Sequence, residues 1–263
     1  MIELDYGTRL SPDPIKLSIG TLIKPKLRDI SKVTFDTYSY YESLAKLTPK
    51  SYYNAVRKNM GGVEYWESLS LEERNNLKLF DIIIKEAELK NSYLEMFNFF
   101  FVENVVIYED LFVVLKEGIN EISSQSNAED VRGIITKENF NDIIFVIQQI
   151  CCIEDKSNNE ELKFKNNLAK ELYFKMQKAV EKQKIERKED KNFELPNLIS
   201  AVSNSHPTID PINVWDLTVY QLMDSFNRLQ TNRMLDMQAT SVSVWGDKKS
   251  TFNPALWYKN QFK

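Results

Sequence analysis

The sequence predicts a mainly helical α+β protein with one small antiparallel sheet. Along most of the chain apolar residues recur every three or four positions, the spacing of helices with one buried face. After residue 104, two short runs rich in β-branched and aromatic residues interrupt this pattern. Glycine is also scarce: the 263 residues include 7, where average usage would give roughly 18. Few positions are therefore available for the positive φ that tight hairpins and phosphate-binding loops require.

The chain begins with an extended segment followed by helices. Ser11-Pro12-Asp13-Pro14 and the alternating run 15–19 predict an extended arm or a short strand. Pro25 opens a helix that ends near Leu47. Its predicted buried face consists of Leu27, Ile30, Val33, Thr37, Tyr41 and Leu44. Thr48-Pro49 starts the next helix, with Thr as the cap and Pro at the first helical position.

A capping box and an aromatic cluster follow. Ser70-Leu71-Glu72-Glu73 has the spacing at which Ser and Glu satisfy each other's unpaired backbone donors. It predicts a helix that runs through Leu77, Phe80, Ile83 and Ile84. The cluster Tyr93 to Phe101 (YLEMFNFFF) has no charge beyond Glu95, and leaving it in water would be costly. We expect a core element there, with a partner-binding groove as the alternative.

The predicted sheet occupies the middle of the chain. The runs VVIY and LFVVL flank the two-residue turn Glu109-Asp110 and predict a hairpin over about 104–116. Val131 to Ile135 is the candidate third strand. Thr136 caps the next helix, from Lys137 to about Ile153. Its predicted buried face consists of Phe140, Ile143, Ile144, Ile147 and Ile150.

The pattern divides the chain into three segments. Residues 1–154 form a helical domain with the small sheet, and residues 155–192 form an amphipathic helix that runs into a charged linker. Within this linker, Glu and Asp interleave with Lys and Arg over 178–191, as on a solvated helix face. Residues 193–263 form a C-terminal helical and aromatic subdomain.

The C-terminal segment contains two predicted helices. Leu195, Leu198, Ile199 and Val202 suit a short helix that ends at Asn204-Ser205-His206-Pro207. A second capping box, Thr218 to Gln221, opens a longer helix. One face of this longer helix is predicted to contain Leu222, Phe226, Leu229 and Met234.

No catalytic, cofactor-binding or metal-binding residue is predicted. Walker and GxGxxG strings do not occur, and the sole histidine, His206, lies far in sequence from Cys151 and Cys152. We interpret His206 as a turn residue and the cysteines as buried small hydrophobes in a reducing cytosol. The net charge of −4 disfavours a nucleic-acid surface, and no apolar run is long enough to span a membrane.

Aromatic and Met side chains concentrate near the C-terminus. Such residues are enriched at protein–protein interfaces and at their hot spots. They have two interpretations here: anchors of a small C-terminal core, or a docking face for a partner chain. The candidate partner-binding residues are Trp215, Tyr220, Leu222, Met223, Phe226, Trp245 and Trp257.

Several stretches resemble proteins encoded in the tail-gene modules of tailed phages and prophages of Gram-positive bacteria. They are residues 195–232, the opening DYGTRLSPDPIKLSIGTLIKP, the FNFFF at 97–101 and VSVWGDKKSTFNPALWYKN near the end. Trp215-Asp216-Leu217-Thr218, with the apolar-striped helix that follows, is similar to the C-terminal part of tail assembly chaperones.

The resemblance implies a non-catalytic protein of the host cytoplasm that binds the tape-measure protein and recruits tail-tube subunits. Many such chaperones exist in a short and a frameshifted long form joined by a charged linker, which residues 178–192 match. Self-association is left open, and no cofactor is implied. The N-terminal part is longer than in compact chaperones and contains the predicted hairpin. A structural minor tail, baseplate or connector protein of the virion is therefore the alternative.

Overall fold

The computed structural model describes residues 2–119, 130–153, 194–247 and 252–259. It shows a mainly helical α+β fold with small antiparallel sheets, which confirms the predicted fold class. The predicted amphipathic helix and charged linker at 155–192 lie outside the described residues, whereas the predicted segments 1–154 and 193–263 are described in large part.

The N-terminal half of the fold alternates short helices with two small sheets. The helices are α1 (Tyr6–Leu10), α2 (Leu27–Val33), α3 (Phe35–Ala45), α4 (Pro49–Ser51), α5 (Gly62–Ser68), α6 (Leu71–Asn76), α7 (Leu79–Lys85) and α8 (Ala87–Phe100). A π-helical turn (Tyr52–Val56) and a 3-10 turn (Lys58–Met60) follow α4. The strands are β1 (Ile15–Leu17), β2 (Gly20–Leu22), β3 (Val105–Tyr108), β4 (Leu111–Leu115) and β5 (Val131–Ile135).

Helices make up the regular structure described after the second sheet. They are α9 (Phe140–Ile150), α10 (Leu195–Ser203) and α11 (Val219–Trp245), with 3-10 turns at Asn213–Asp216 and Pro254–Tyr258. The predicted end of α10 at the Asn204-Pro207 turn is confirmed, as is the capping box that opens α11.

The predicted helix from Pro25 to Leu47 is in fact two helices. Thr34 adopts φ 78° and ψ 151°, which ends α2 and starts α3 in a new direction. Its side-chain oxygen accepts the backbone N–H of Thr37 at 3.2 Å and so caps α3. The reorientation buries Tyr38 in place of the predicted Thr37. The local sequence Thr34-Phe35 does not predict this break, because a β-branched residue such as threonine rarely adopts a positive φ.

Two other predicted helices also differ from the structure. The helix after the capping box Ser70–Glu73 ends at Asn76, and α7 restarts at Leu79. The helix predicted from Lys137 begins at Phe140, where Asn139 holds the turn by accepting the Thr136 N–H at 2.8 Å. The apolar face predicted for this helix, α9, is buried as expected.

The predicted hairpin and third strand are confirmed. Strands β3, β4 and β5 form one antiparallel sheet in that order, with Tyr108 paired to Leu111 across the turn. Glu109 and Asp110 have φ values of 45° and 62°, so the turn has the left-handed conformation that Asn-Gly usually provides. The sequence closes this hairpin without glycine at a cost in backbone strain.

Replacing Glu109 with Asn is expected to stabilise the protein by up to about 1 kcal/mol, since Asn tolerates positive φ better than Glu. Urea denaturation followed by circular dichroism measures the change. The matched variant Glu109→Val should shift stability in the opposite direction, because a β-branched residue is strained there. Equal stabilities for the two variants would show that the turn conformation does not matter.

The two-stranded sheet near the N-terminus, formed by β1 and β2, was not predicted. The run at 15–19, expected to be an extended arm or a short strand, pairs as β1 with β2. Phe101 then bridges to Leu22, and the Val102 N–H donates to Thr21 O at 2.9 Å. A Cβ atom at Gly133 of β5 would lie 2.6 Å from the Ile19 Cα, so the two sheets touch at a position where only glycine fits.

The core forms where α8 and α9 pack on the three-stranded sheet. In α8, Tyr93, Met96, Phe97 and Phe100 are fully buried. The Phe97 ring lies 5.2 Å from that of Phe112 in β4, centroid to centroid. This confirms the interpretation of the aromatic cluster as a core element.

The C-terminal residues share this core. The Leu27 N–H donates to Leu217 O at 2.9 Å, and the Gln221 side chain donates to Leu10 O at 2.9 Å. Val219 and Leu222 belong to the same buried cluster as residues of α2 and α8. The N-terminal segment thus supplies the surface on which α11 begins.

Candidate partner-binding surface

The sole histidine, His206, and the buried Cys151 have structural roles. His206 Nδ1 accepts the backbone N–H groups of Thr208 and Ile209, both at 3.2 Å, which fits the predicted turn residue. Cys151 is buried, and burial raises the pKa of its thiol well above the ordinary value. Within the described ranges, no group of three or more His, Cys, Asp or Glu side chains is placed to hold a metal ion.

Crossing a bilayer requires a helix of about 20 predominantly apolar residues. Over the part of the chain that the structure covers, none combines sufficient length with sufficient apolar character. The candidate partner-binding residues concentrate on and around α11.

The first half of α11 is anchored in the core. Thr218 and Gln221 form the capping box: Gln221 N donates to Thr218 Oγ1, and Thr218 N donates to Gln221 Oε1. Tyr220 packs edge-on against Tyr6, with ring centroids 6.2 Å apart. Burial raises the pKa of Tyr220 to about 12. The beginning of α11 is therefore fixed by contacts with the start of the chain.

A polar network also holds α11 in place. Asp224, which is buried, accepts hydrogen bonds from Tyr6 Oη at 3.0 Å and Arg228 Nε at 2.9 Å. Arg228 further donates to Tyr6 Oη at 2.9 Å and to Trp257 O at 3.2 Å. The network joins α1, α11 and the final 3-10 turn, because Tyr6 belongs to the first, Asp224 and Arg228 to the second and Trp257 to the third.

The structure separates the seven candidate residues into two groups. Tyr220 and Leu222 are buried, and Met223 and Phe226 pack half-buried against the core. Trp215 is also half-buried, and its Nε1 donates to Pro211 O at 3.0 Å. These five side chains anchor the C-terminal segment in this fold.

The other two candidates, Trp245 and Trp257, are exposed. Trp245 ends α11, and Trp257 lies in the 3-10 turn beside that helix, edge-on to the exposed Tyr258 with ring centroids 5.5 Å apart. Only these two of the seven are available to a partner without any change in the fold.

Beyond Gln230, α11 extends past the core and exposes a row of large apolar side chains. We call this row the exposed stripe, and its members with their exposed fractions are Met234 (54%), Met237 (66%), Val244 (63%) and Trp245 (78%). At about 100° per residue they share one side of the helix, with Ser241 between them, over roughly 18 Å of its length. Leu235, which is buried, lies about 140° away from this side.

Three members of the stripe were not among the candidate residues. Met234 was expected on the buried face with Leu222, but more than half of its surface is in water. The available signal was that the apolar spacing continues into residues 238–243, which are mostly small and offer no second continuous apolar face.

Within the described residues, the fold and this surface define a mainly helical protein in which α11 carries an exposed apolar side beyond the core. The family model of the YomV second domain, a phage-associated family, matches residues 186–261. The match contains α10, α11 and the final 3-10 turn, and it is consistent with a phage protein. No curated protein and no solved structure matches the chain significantly.

Proposed function

We propose that this is a non-enzymatic phage tail-morphogenesis protein, a tail assembly chaperone that binds the tape-measure protein and tail-tube subunits in the host cytoplasm. The exposed stripe is the observation that carries the proposal. Apolar side chains exposed together on one helix face are typical of protein–protein interaction sites, because binding an apolar partner removes them from water. The match of the phage-associated family to the same region supports it, as does the resemblance to tail-module proteins.

The stripe suits transient masking of apolar surfaces. Methionine is flexible and polarisable, so Met234 and Met237 can adapt to partners of different shape. Trp245 provides a large rigid anchor of the kind that dominates binding hot spots. From Met234 to Trp245 the only charged residue is Asp236, so contacts through this face should depend weakly on salt.

The double variant Met237→Ala, Trp245→Ala is expected to weaken binding to the tape-measure protein by at least about tenfold, since each hot-spot truncation costs 1 kcal/mol or more. Pull-down and titration calorimetry with purified partner measure the effect. Ile212→Ala, at an 83% exposed residue outside the stripe, is the matched control. Unchanged affinity in a folded double variant would rule out the stripe as the binding site.

Met223 and Phe226 are poor positions for this test. Both pack half-buried against the core. Truncating them would destabilise the fold, and a loss of binding would not identify a contact.

The alternative is a structural minor tail, baseplate or connector protein of the virion. One observation favours this alternative: the described residues before 154 share a single hydrophobic core with α10 and α11. The N-terminal part is therefore an integral part of the fold, which a compact chaperone would not need. Mass spectrometry of purified particles distinguishes the two functions. A chaperone should be absent from virions, whereas a structural protein should be present at fixed stoichiometry.

A further inference from the structure

A groove lies between helices α5 to α7 and the tip of the β3–β4 hairpin. Its volume is about 650 Å³, which is within the range of sites that hold a small ligand or a few residues of a peptide. Half of the residues that line it are apolar or aromatic: Tyr65, Leu69, Leu77, Phe80, Ile84 and Leu111. Tyr65 and Leu111 are 46% and 37% exposed, so the groove offers apolar surface to a ligand.

The other half of the lining is polar and mainly acidic. It consists of Glu73, Asn76, Asp81, Lys85, Glu109 and Asp110. Asp81 and Asp110 pair with lysines outside the lining: the Lys137 Nζ lies 2.6 Å from Asp81 Oδ2, and the Lys90 Nζ lies 2.6 Å from Asp110 Oδ1. These two carboxylates are therefore neutralised within the protein and do not select the charge of a ligand.

The other two carboxylates of the groove are not neutralised. Neither Glu73 nor Glu109 forms an ion pair with another described residue. The backbone N–H of Ser70 donates to Glu73 Oε2 at 2.8 Å and lowers the pKa of Glu73, which therefore stays ionised at neutral pH. Glu109 is exposed in the hairpin turn. Lys85 is the one cation of the lining, so the two free carboxylates leave the rim with an excess of negative charge.

We propose that this groove binds a short segment of a partner protein that is both basic and apolar. An apolar side chain of the segment covers Tyr65 and Leu111, and one or two Lys or Arg side chains lie at the rim beside Glu73 and Glu109. An acidic segment would meet charge of the same sign, which is unfavourable. The apolar side chain is needed because exposed ion pairs contribute little by themselves.

This surface is separate from the exposed stripe. All residues that line the groove lie between positions 65 and 111, whereas the stripe belongs to α11. The groove therefore adds a second binding surface, with a different chemistry, to the one on which the proposed function depends.

Fluorescence anisotropy with the purified full-length chain tests the proposal. The probes are three labelled eight-residue peptides in which leucine alternates with lysine, with glutamine or with glutamate. We expect the lysine peptide to bind with a dissociation constant on the order of 100 µM, and at least about tenfold more tightly than the glutamate peptide. Raising the salt concentration from about 50 to about 500 mM should weaken binding of the lysine peptide, because exposed charges are screened.

A double variant tests whether the groove is the site. Glu73→Gln with Glu109→Gln should weaken the lysine peptide by at least about threefold, since two exposed ion pairs are lost. Binding of the glutamine peptide should stay unchanged, which also shows that the variant is folded, and Gln at position 73 preserves the capping box. Glu3→Gln with Glu194→Gln is the matched control, because it removes the same charge from exposed positions outside the groove.

Three results would overturn the proposal. They are no binding of the lysine peptide up to about 1 mM, equal affinities for the lysine and glutamate peptides, and equal effects of the two double variants. None of these results depends on the tape-measure protein. A groove that fails this test leaves the proposed function intact, and a stripe that binds no tail protein leaves the groove intact.

Discussion

Replacing Phe97 with Ala is expected to lower the free energy of unfolding by about 3–5 kcal/mol, the largest effect of any single truncation considered for this protein. The Phe97 ring is fully buried in α8. Its centroid lies 6.1 Å from that of Phe101, 5.2 Å from that of Phe112 and 6.3 Å from that of Phe140. These neighbours belong to separate elements, so the ring holds α8, β4 and α9 together.

The size of the loss follows from the rigidity of these neighbours. Aromatic rings have few ways to move into the space that a missing ring leaves, so most of the cavity would persist. Urea denaturation monitored by far-ultraviolet circular dichroism gives the free energy of unfolding. Tyr108→Ala, at an exposed aromatic residue of β3, is the matched control and should cost much less. Similar losses for both variants would contradict the assignment of Phe97 to the centre of the core.

Local hydrogen bonding explains which parts of the fold could be predicted from the sequence. The capping residues Thr48, Ser70 and Thr218 each accept a backbone N–H three residues later, and this interaction needs only the local sequence. The Glu109-Asp110 turn was predicted because two short apolar runs flank it. Signals confined to a few neighbouring residues were therefore sufficient for these elements.

The elements that were missed depend on distant contacts. Strand β1 lies in the alternating run 15–19, for which an extended arm or a short strand was predicted, but β2 has only three residues, which is too few to show a period. Their position is fixed by α8, since Phe100 O accepts the Ile23 N–H at 2.7 Å. The break at Thr34 likewise has no local sequence signal and is accompanied by burial of Tyr38 in the core.

The same distinction holds for the partner-binding surface. Composition indicated that the C-terminal residues would matter, but it did not show which side chains face water. Tyr220 is buried because Tyr6, more than two hundred positions earlier, packs on it. Met234 is exposed although the next residue, Leu235, is buried, because the two side chains lie on different sides of α11. Neither fact is contained in the sequence of α11 alone.

An ion pair between a buried carboxylate and a half-buried arginine joins the two sheets and leads to the second large effect. The Glu103 side chain is almost completely buried, and its Oε1 lies 2.5 Å from Arg132 Nη1 of β5. Its Oε2 accepts the backbone N–H of Thr21 in β2 at 2.8 Å. One carboxylate thus satisfies a donor from each sheet. The sequence offered no sign of this pair, because Glu103, Arg132 and Thr21 are far apart in the chain.

Arg132→Met is expected to lower the free energy of unfolding by about 3 kcal/mol, because it leaves the Glu103 carboxylate buried without its counter-charge. Urea denaturation at neutral pH measures the loss. The double variant Glu103→Gln, Arg132→Met should recover part of it, since a neutral amide costs less to bury and its oxygen still accepts the Thr21 N–H. If the double variant were no more stable than Arg132→Met, the unpaired charge would not be the cause of the loss. The contribution of Arg132 would then come from the packing of its aliphatic stem between the sheets.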